Sequence, residues 1–278
     1  MKEYKLLSPA KINLRLEVLN KREDGYHDIR TILTRISLYD DVYISLKKEK
    51  GISVKSENVD IPENRNLAFI AAKYLLEEAG IDTGVDIRIK KRIPVGGGLG
   101  GGSSNAATII MALNELLNIN LSDKGLMDIG LKIGTDVPFF IFKKPAIATG
   151  IGDILEEITI PPNLWFVLIN PDICINTGDI YKKLLLTNSK IGIKLPYLFK
   201  DCSQIVKILY NDLERVTINM YPVIGEIKNR LLSLGAEGTL MSGSGSTVFA
   251  IFSDKDRALR SINSLNNIFN KVFLVNNI

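Results

Sequence analysis

The sequence predicts an α+β fold in two domains, and three observations point there. The chain has 278 residues, enough for one large domain or two modest ones at roughly 150 residues each. Period-two strand patterns and amphipathic helix patterns both occur along it. They are mixed without the strict strand–helix–strand rhythm of a parallel sheet. The domain boundary is expected near residues 150–165. With 46% hydrophobic and 24% charged residues, there is apolar material for a core, and wholesale disorder is excluded.

Ile12, Leu14, Leu16 and Val18 alternate with Lys11, Asn13, Arg15 and Glu17, which predicts a strand with one buried and one polar face. Lys11 and Asn13 then point the same way. A turn over Lys21–Tyr26 carries Asp24-Gly25, and Ile29–Leu46 holds further strand material. Val54–Glu63 reads as polar and irregular. Leu67–Glu78 has helical spacing and stops near Gly80. Val85–Ile89 alternates again as a strand, and Pro94 and a glycine cluster follow it. One helix is expected from about Ser103 to Asn118 and a second from about Ser122 to Ile133, ending at Gly134. Asp136 comes next, ahead of an apolar stretch expected to be a strand. Trp165–Ile169 is a compact strand, and Ser203–Val216 and Val223–Leu234 read as helices. Gly238–Ser242 and Thr247–Phe252 flank a second glycine turn. A helix near Lys255–Leu265 and a strand near Lys271–Val275 close the chain.

Composition narrows the chemistry. Lys plus Arg is 35 and Asp plus Glu is 31, a formal net charge of +4. That is too mild to argue for a nucleic-acid partner, and no basic run exceeds Lys47-Lys48 and Lys90-Lys91-Arg92. The two cysteines, Cys174 and Cys202, and the single histidine, His27, make neither a disulfide framework nor a Cys/His metal site. Carboxylates, lysines, hydroxyls and main-chain amides are left to do the work. Pro9, Lys11 and Asn13 break any secretory apolar region at the N-terminus. Apolar runs such as Leu164–Ile169 fall far short of the roughly 20 residues of a membrane helix. A cytoplasmic protein with reduced thiols and no membrane partner is expected.

The most informative stretch runs from Pro94 to Ser104, with six glycines among residues 96–102. Such a loop can turn its N–H groups inward, because no Cβ blocks the dihedrals required. Ser103 and Ser104 then open a helix whose apolar face is Ala106, Ile109, Ile110, Leu113 and Leu117. The first N–H groups of that helix and the positive end of its dipole make an anion site. Gly96-x-Gly98-x-x-Gly101 matches a dinucleotide fingerprint, but a second helix follows where the acid-bearing strand belongs. A Walker loop needs Lys after its last glycine, and here Ser103 follows Gly102. A flexible linker seldom sits between a strand ending in Pro and a clean amphipathic helix.

Other residues are ambiguous taken singly. Asp136, in Gly134-Thr-Asp-Val-Pro-Phe-Phe, reads as an acidic turn residue near Pro138. Lys11 reads as a strand lysine whose head reaches solvent. His27, in Asp24-Gly-Tyr-His, reads as a turn residue. Met241-Ser-Gly-Ser-Gly-Ser-Thr reads as a hairpin.

Together these segments resemble the GHMP kinase superfamily, with its N-terminal Lys strand, central P-x-x-G-L-G-x-S-S loop and C-terminal glycine loop. Here they are Pro9-Ala-Lys-Ile-Asn, Pro94-Val-Gly-Gly-Gly-Leu-Gly-Gly-Gly-Ser-Ser and Ser242-Gly-Ser-Gly-Ser. Arg22-Glu-Asp-Gly-Tyr-His, Ile36-Ser-Leu-Tyr-Asp, Gly134-Thr-Asp-Val-Pro-Phe-Phe and Asn211-Asp-Leu-Glu are similar to one branch of it. That branch phosphorylates a cytidine diphosphate-linked methylerythritol in the non-mevalonate route to isoprenoids. The resemblance runs from about residue 4 to residue 252.

It implies an N-terminal ATP-binding domain over residues 1–157, a C-terminal ferredoxin-like domain over 158–278, and an active site in the cleft between them. It implies ATP as phosphoryl donor and Mg²⁺, whose protein ligands stay unknown. Asp136 is then the catalytic base and Lys11 its partner. Pro94, Val95, Gly96, Gly97, Gly98, Leu99, Gly100, Gly101, Gly102, Ser103 and Ser104 wrap the ATP phosphates, while Asn66 and Lys91 lie near the adenine nucleoside. Asn13, Tyr26, His27, Thr177, Tyr181 and Gly243 face the small-molecule acceptor. Tyr26 and Tyr181 sandwich the cytosine, and His27 reads its edge. The sequence departs from the family's usual residues at Thr34, Arg35, Thr135, Asn176 and Gly178. A mevalonate- or homoserine-type kinase of the same superfamily is the alternative.

Overall fold

The computed structural model describes residues 2–184 and 195–278. The chain forms two compact units that are interleaved in sequence. One comprises Met1–Ala10, Leu38–Ile93 and Gly100–Lys143, and the other Lys11–Ser37, Pro94–Leu99 and Lys144–Ile278.

In the first unit lie the opening residues of β1 (Tyr4–Lys21), the end of β2 (His27–Lys47), β3 (Gly51–Glu57) and β4 (Gly84–Lys90). The strand order is β3-β4-β2-β1. β4 runs antiparallel to β2, from Asp41 opposite Lys90 to Lys47 opposite Gly84, and parallel to β3. The helices of this unit are α1 (Leu67–Ala79), α2 (Gly101–Leu116), α3 (Asp123–Ile133) and α4 (Val137–Phe142). The Asn66 side chain caps α1 by accepting the Ala68 N–H at 3.1 Å, and Gly80 ends it in the left-handed region at φ 64°. α1 packs along α2, and both bury small residues, Ala68, Ala71 and Ala72 on one and Ala106 and Ala107 on the other. Small side chains let the two helices approach closely.

Two segments differ from the sequence expectation. Gly51–Glu57 is a strand, its hydrogen bonds supplied by β4. Its mix of polar and half-buried positions is that of an edge, where alternation fades. Val137–Phe142 is a helix, not a strand. All but the last of its residues are buried, so the apolar run carries no period to separate the two conformations. Pro138 falls in its first turn, where a missing N–H costs nothing.

In the second unit the rest of β1 pairs in parallel with the short β8 (Tyr210–Asn211), Arg15 opposite Tyr210 and Leu16 opposite Asn211. The first residues of β2 pair with β5 (Ala146–Thr149), and β5 pairs with β6 (Ile154–Glu157). A four-stranded antiparallel sheet has the order β11-β7-β10-β9, from β7 (Trp165–Ile169), β9 (Gly238–Met241), β10 (Val248–Phe252) and β11 (Val272–Asn276). Its helices are α5 (Thr177–Lys183), α6 (Cys202–Ile208), α7 (Asp212–Met220), α8 (Val223–Ser233) and α9 (Lys255–Leu265). Val167, Ile169, Val248, Ala250 and Phe252 share a core with Leu16, Val18, Leu213, Ile224, Ile227 and Leu231. Phe166 and Phe249 meet edge to face at 5.9 Å.

The single helix expected over Ser203–Val216 is two helices with β8 between them. Leu209 leaves the helical region, and Asn211 is extended at φ −147° to pair with β1 and cap α7. No helix among the described residues is long and apolar enough to cross a membrane.

Truncating Phe249, fully buried and in ring contact with Phe166, to Ala is expected to lower stability by about 3–5 kcal/mol. The check is the denaturant midpoint, with the slope of the transition unchanged.

Candidate active site

The polar face of β1 is not solvated. Lys11, Asn13, Arg15 and Glu17 are all at most 5% exposed, so the surface reading of Lys11 fails. Each is paired instead, as buried polar groups must be. The Lys11 ammonium donates to Asn13 Oδ1 at 2.7 Å, and the Lys11 N–H donates to Leu99 O at 3.0 Å. Asn13 Nδ2 donates to Thr31 Oγ1 at 2.8 Å, and that hydroxyl donates to Arg15 O. Glu17 sits between Arg15 and Arg30. Burial pushes its carboxyl up, but hydrogen bonds from Arg30 and Arg15 outweigh that and hold it below the usual carboxylate range.

The two glycine loops meet in the same unit. β9 and β10 are an antiparallel pair, so Ser242–Thr247 is the hairpin its sequence suggests. It also carries contacts. Ser242 Oγ donates to Gly98 O at 2.9 Å and accepts the Asn13 N–H at 3.3 Å. The Thr247 N–H donates to Gly97 O at 3.2 Å. A Cβ on Gly98 would fall 2.1 Å from Ser242 O, so this approach admits only glycine, and its φ is +75°. A Cβ on Gly97 would meet Asn170 Nδ2 and Thr247 Oγ1, both at 2.8 Å. Lys11, Asn13, Gly97, Gly98 and Ser242 are thereby linked through hydrogen bonds, and Gly243 lies beside Asn13. Thr177 Oγ1 and Ser244 Oγ share a hydrogen bond of 2.8 Å.

Tyr26, His27 and Tyr181 belong to the same unit. The His27 and Tyr181 rings are 4.7 Å apart and tilted by 32°. Tyr26 follows the turn and is 54% exposed, its ring open to a stacking partner. Burial, and after it the charge of Lys21, lowers the His27 pKa from its ordinary value, so the imidazole is neutral at pH 7.

The first unit holds the other candidates. Gly100, at φ 68°, is the left-handed N-cap from which α2 starts, so the helix opens with main-chain N–H groups. Ser104 is buried and accepts a hydrogen bond from Ser8 Oγ at 2.8 Å. Ser103 lies beside Gly134, where an added Cβ would be 3.8 Å from Ser103 Oγ. Asp136, two residues on, is the N-cap of α4, and its side chain makes no cap bond to that helix. Asn66 holds Ser56 Oγ at 3.1 Å besides capping α1. Lys91 is buried against Asp40 and donates to Asn105 Oδ1 at 3.0 Å.

Sequence reasoning passed over several supporting residues. Asp40 is fully buried and accepts the N–H groups of Arg92 and Ile93, at 2.7 and 2.9 Å, just before Pro94. Asn105 donates to Asp40 and Ser8. Asn170 holds Thr247 Oγ1 at 3.0 Å. The available signal was a polar residue at a position that periodicity assigns to a core, as with Asn105 among Ala106, Ala107 and Ile109. Among the described residues, no group of three or more His, Cys, Asp or Glu could hold a metal ion.

Comparison with known proteins identifies the family. Residues 66–144 match the model of the GHMP kinases N terminal domain, and residues 198–271 that of the GHMP kinases C terminal. The chain is 48% identical over 268 residues to a 4-diphosphocytidyl-2-C-methyl-D-erythritol kinase of Geobacter metallireducens, covering 96% of this chain and 95% of that one. Its structure superposes on a crystal structure of 4-(cytidine 5'-diphospho)-2C-methyl-D-erythritol kinase with a TM-score of 0.84, at 33% identity and 99% coverage of both chains. A homoserine kinase from Cytophaga hutchinsonii shares the fold at 20% identity, with a TM-score of 0.76 over 99% of this chain and 96% of that one. The chain belongs to the GHMP kinase family, in the group of the 4-diphosphocytidyl-2-C-methyl-D-erythritol kinases.

Proposed function

We propose that this ATP-dependent kinase transfers the γ-phosphoryl group of ATP to the 2-hydroxyl of 4-diphosphocytidyl-2-C-methyl-D-erythritol. The products are the 2-phosphate and ADP, in a cytoplasmic step of non-mevalonate isoprenoid precursor synthesis. One observation carries the reading. A chain 48% identical to a kinase of that name also packs its two glycine loops against each other, with Lys11 and Asn13 bonded beside them.

A transferring phosphoryl group asks little covalent chemistry of a protein. Catalysis is mostly in-line positioning and neutralisation of charge. Residues 94–104 hold the phosphates through main-chain N–H groups, and Asn66 and Lys91 border the nucleoside. The Lys91 side chain is committed to Asp40 and Asn105, so its part is to fix the end of β4. Asp136 accepts the proton of the acceptor hydroxyl, and Lys11 offsets negative charge as the phosphoryl group moves. Asn13, Thr177 and Gly243 position the acceptor. The cytosine stacks between Tyr26 and Tyr181, with neutral His27 at its edge. Mg²⁺ would accompany the nucleotide phosphates and, when bound, supply further charge neutralisation. Ser104 Oγ accepts from Ser8, so Ser103 would be the hard oxygen donor on offer to it. Residues 1–157 form the ATP-binding portion and 158–278 the acceptor-binding portion, to which Asn13, Tyr26 and His27 of the first portion add.

Incubation with ATP, Mg²⁺ and the cytidylated methylerythritol, read by phosphorus NMR of the product, tests the reading. ADP release with mevalonate or homoserine in place of that acceptor would favour the alternative kinases. Asp136→Asn is expected to lower kcat by about 10²-fold or more, the lower end of general-base assistance, while ATP binding persists. Near-normal turnover in a folded preparation refutes that role.

Tyr26→Ala or Tyr181→Ala should weaken the acceptor more than ATP, since stacking on a base is worth about 1–3 kcal/mol. Equal losses for both ligands argue against the sandwich.

The glycines of the loop are expected to separate by position. Gly98→Ala forces a Cβ into Ser242 O and should lower the melting temperature. Gly102→Ala meets only the Leu67 side chain, its Cδ1 at 3.4 Å and its Cγ at 3.9 Å, and sits within α2. It should keep or raise stability by up to about 1 kcal/mol while raising the KM for ATP.

A further inference from the structure

Asn211-Asp212-Leu213-Glu214 has no part in the chemistry above, yet each of its polar side chains grips the backbone of another segment. Asn211 is buried, at 6% exposure. Its Nδ2 donates to Met241 O at 2.8 Å and to Gly243 O at 2.7 Å, while its Oδ1 accepts the Leu213 N–H at 2.9 Å and caps α7. Asp212 Oδ2 accepts the Val18 N–H of β1 at 2.7 Å. Glu214 Oε2 accepts the Met241 N–H at 2.8 Å. The backbone of Asn211 lies opposite Leu16 of β1. One residue therefore ties β1, the start of α7 and the second glycine loop together.

The second of these carbonyls, Gly243 O, belongs to the peptide joining Gly243 to Ser244. In a trans peptide the C=O and N–H point to opposite sides of the chain. With its oxygen drawn to a buried amide, this peptide turns the Ser244 N–H away from Asn211. Ser244 itself is anchored next to that peptide: its Oγ shares a hydrogen bond of 2.8 Å with Thr177 Oγ1, and its carbonyl oxygen lies 3.4 Å from Thr217 Oγ1, whose shorter bond, at 3.0 Å, goes to Leu213 O. A main-chain N–H held in place beforehand is a donor suited to an anionic phosphate oxygen.

We propose that Asn211 is a positioning residue for the diphosphate of the acceptor, which it serves by fixing the Gly243–Ser244 peptide. The inference rests on the acceptor named above. Asn211→Ser and Asn211→Asp both keep a side chain that caps a helix well. The first is too short to reach the two carbonyls, and the second sets an oxygen against them. Steady-state kinetics of both variants, with Asp254→Ala as a control that removes a cap from α9 alone, tests the role. Expected is a rise of about tenfold in the acceptor KM, the order of one lost buried hydrogen bond. The KM for ATP should stay within about twofold, and the control should leave both constants in place. Unchanged constants, or equal rises for both ligands, overturn the role of Asn211 while the activity stands. A wild-type enzyme that releases no ADP with the cytidylated acceptor overturns the activity and the role with it.

Discussion

The contact between the carbonyl oxygen of Ser242 and the α-carbon of Gly98 sets the geometry of everything near it. An added methyl group would stand 2.1 Å from that oxygen, so the two loops can touch only where a side chain is missing on one of them. The touch is fixed by polar bonds, Ser242 Oγ to Gly98 O and the Thr247 N–H to Gly97 O. The same Ser242 hydroxyl accepts the Asn13 N–H of β1. Glycine in the first loop thus does two jobs. At Gly98 it admits a neighbouring loop, and at Gly100 its left-handed φ lets α2 begin with open amides.

Buried polar pairing is the second theme. Between Ala10 and Val18 β1 presents both faces to protein, and the charged residues there are paired: Lys11 with Asn13, and Glu17 with Arg15 and Arg30. Removing one member would strand the other in a poorly solvated site, which costs far more than the pair contributes. Asp40 plays the same part at the end of β4, where it ties Lys91, Arg92, Ile93 and Asn105 into the approach to the first loop. Such networks hold a fixed geometry well, because each partner has one low-energy arrangement.

Much of this was legible in the sequence because local rules wrote it. The glycine run before an amphipathic helix, the alternation in β1 and the glycine after α1 are short-range signals with a direct physical cause. The hairpin at Ser242–Thr247 was equally plain. What was hidden depends on partners distant in sequence. Val137–Phe142 is a helix with all but its last residue buried, and a fully apolar hexamer has no period to read. β3 exists because β4 lies beside it. β8 interrupts a helical pattern because Asn211 finds Leu16 on β1. Lys11 looked like a surface lysine until its neighbours were in place. Asp40 and Asn105 gave only the weak sign of polar residues in apolar company.

The interleaving of the two units has a bearing on biosynthesis. The unit that begins at Lys11 takes β8 beside Arg15 and Leu16, and it takes Asn277 beside Ile36. Those partners emerge from the ribosome only after the intervening chain has been made. Until then β1 and the start of β2 carry unsatisfied backbone edges. Assembly of this unit during translation must therefore be late and long-range, and a nascent chain stalled short of β11 presents open strand edges for a chaperone to shield.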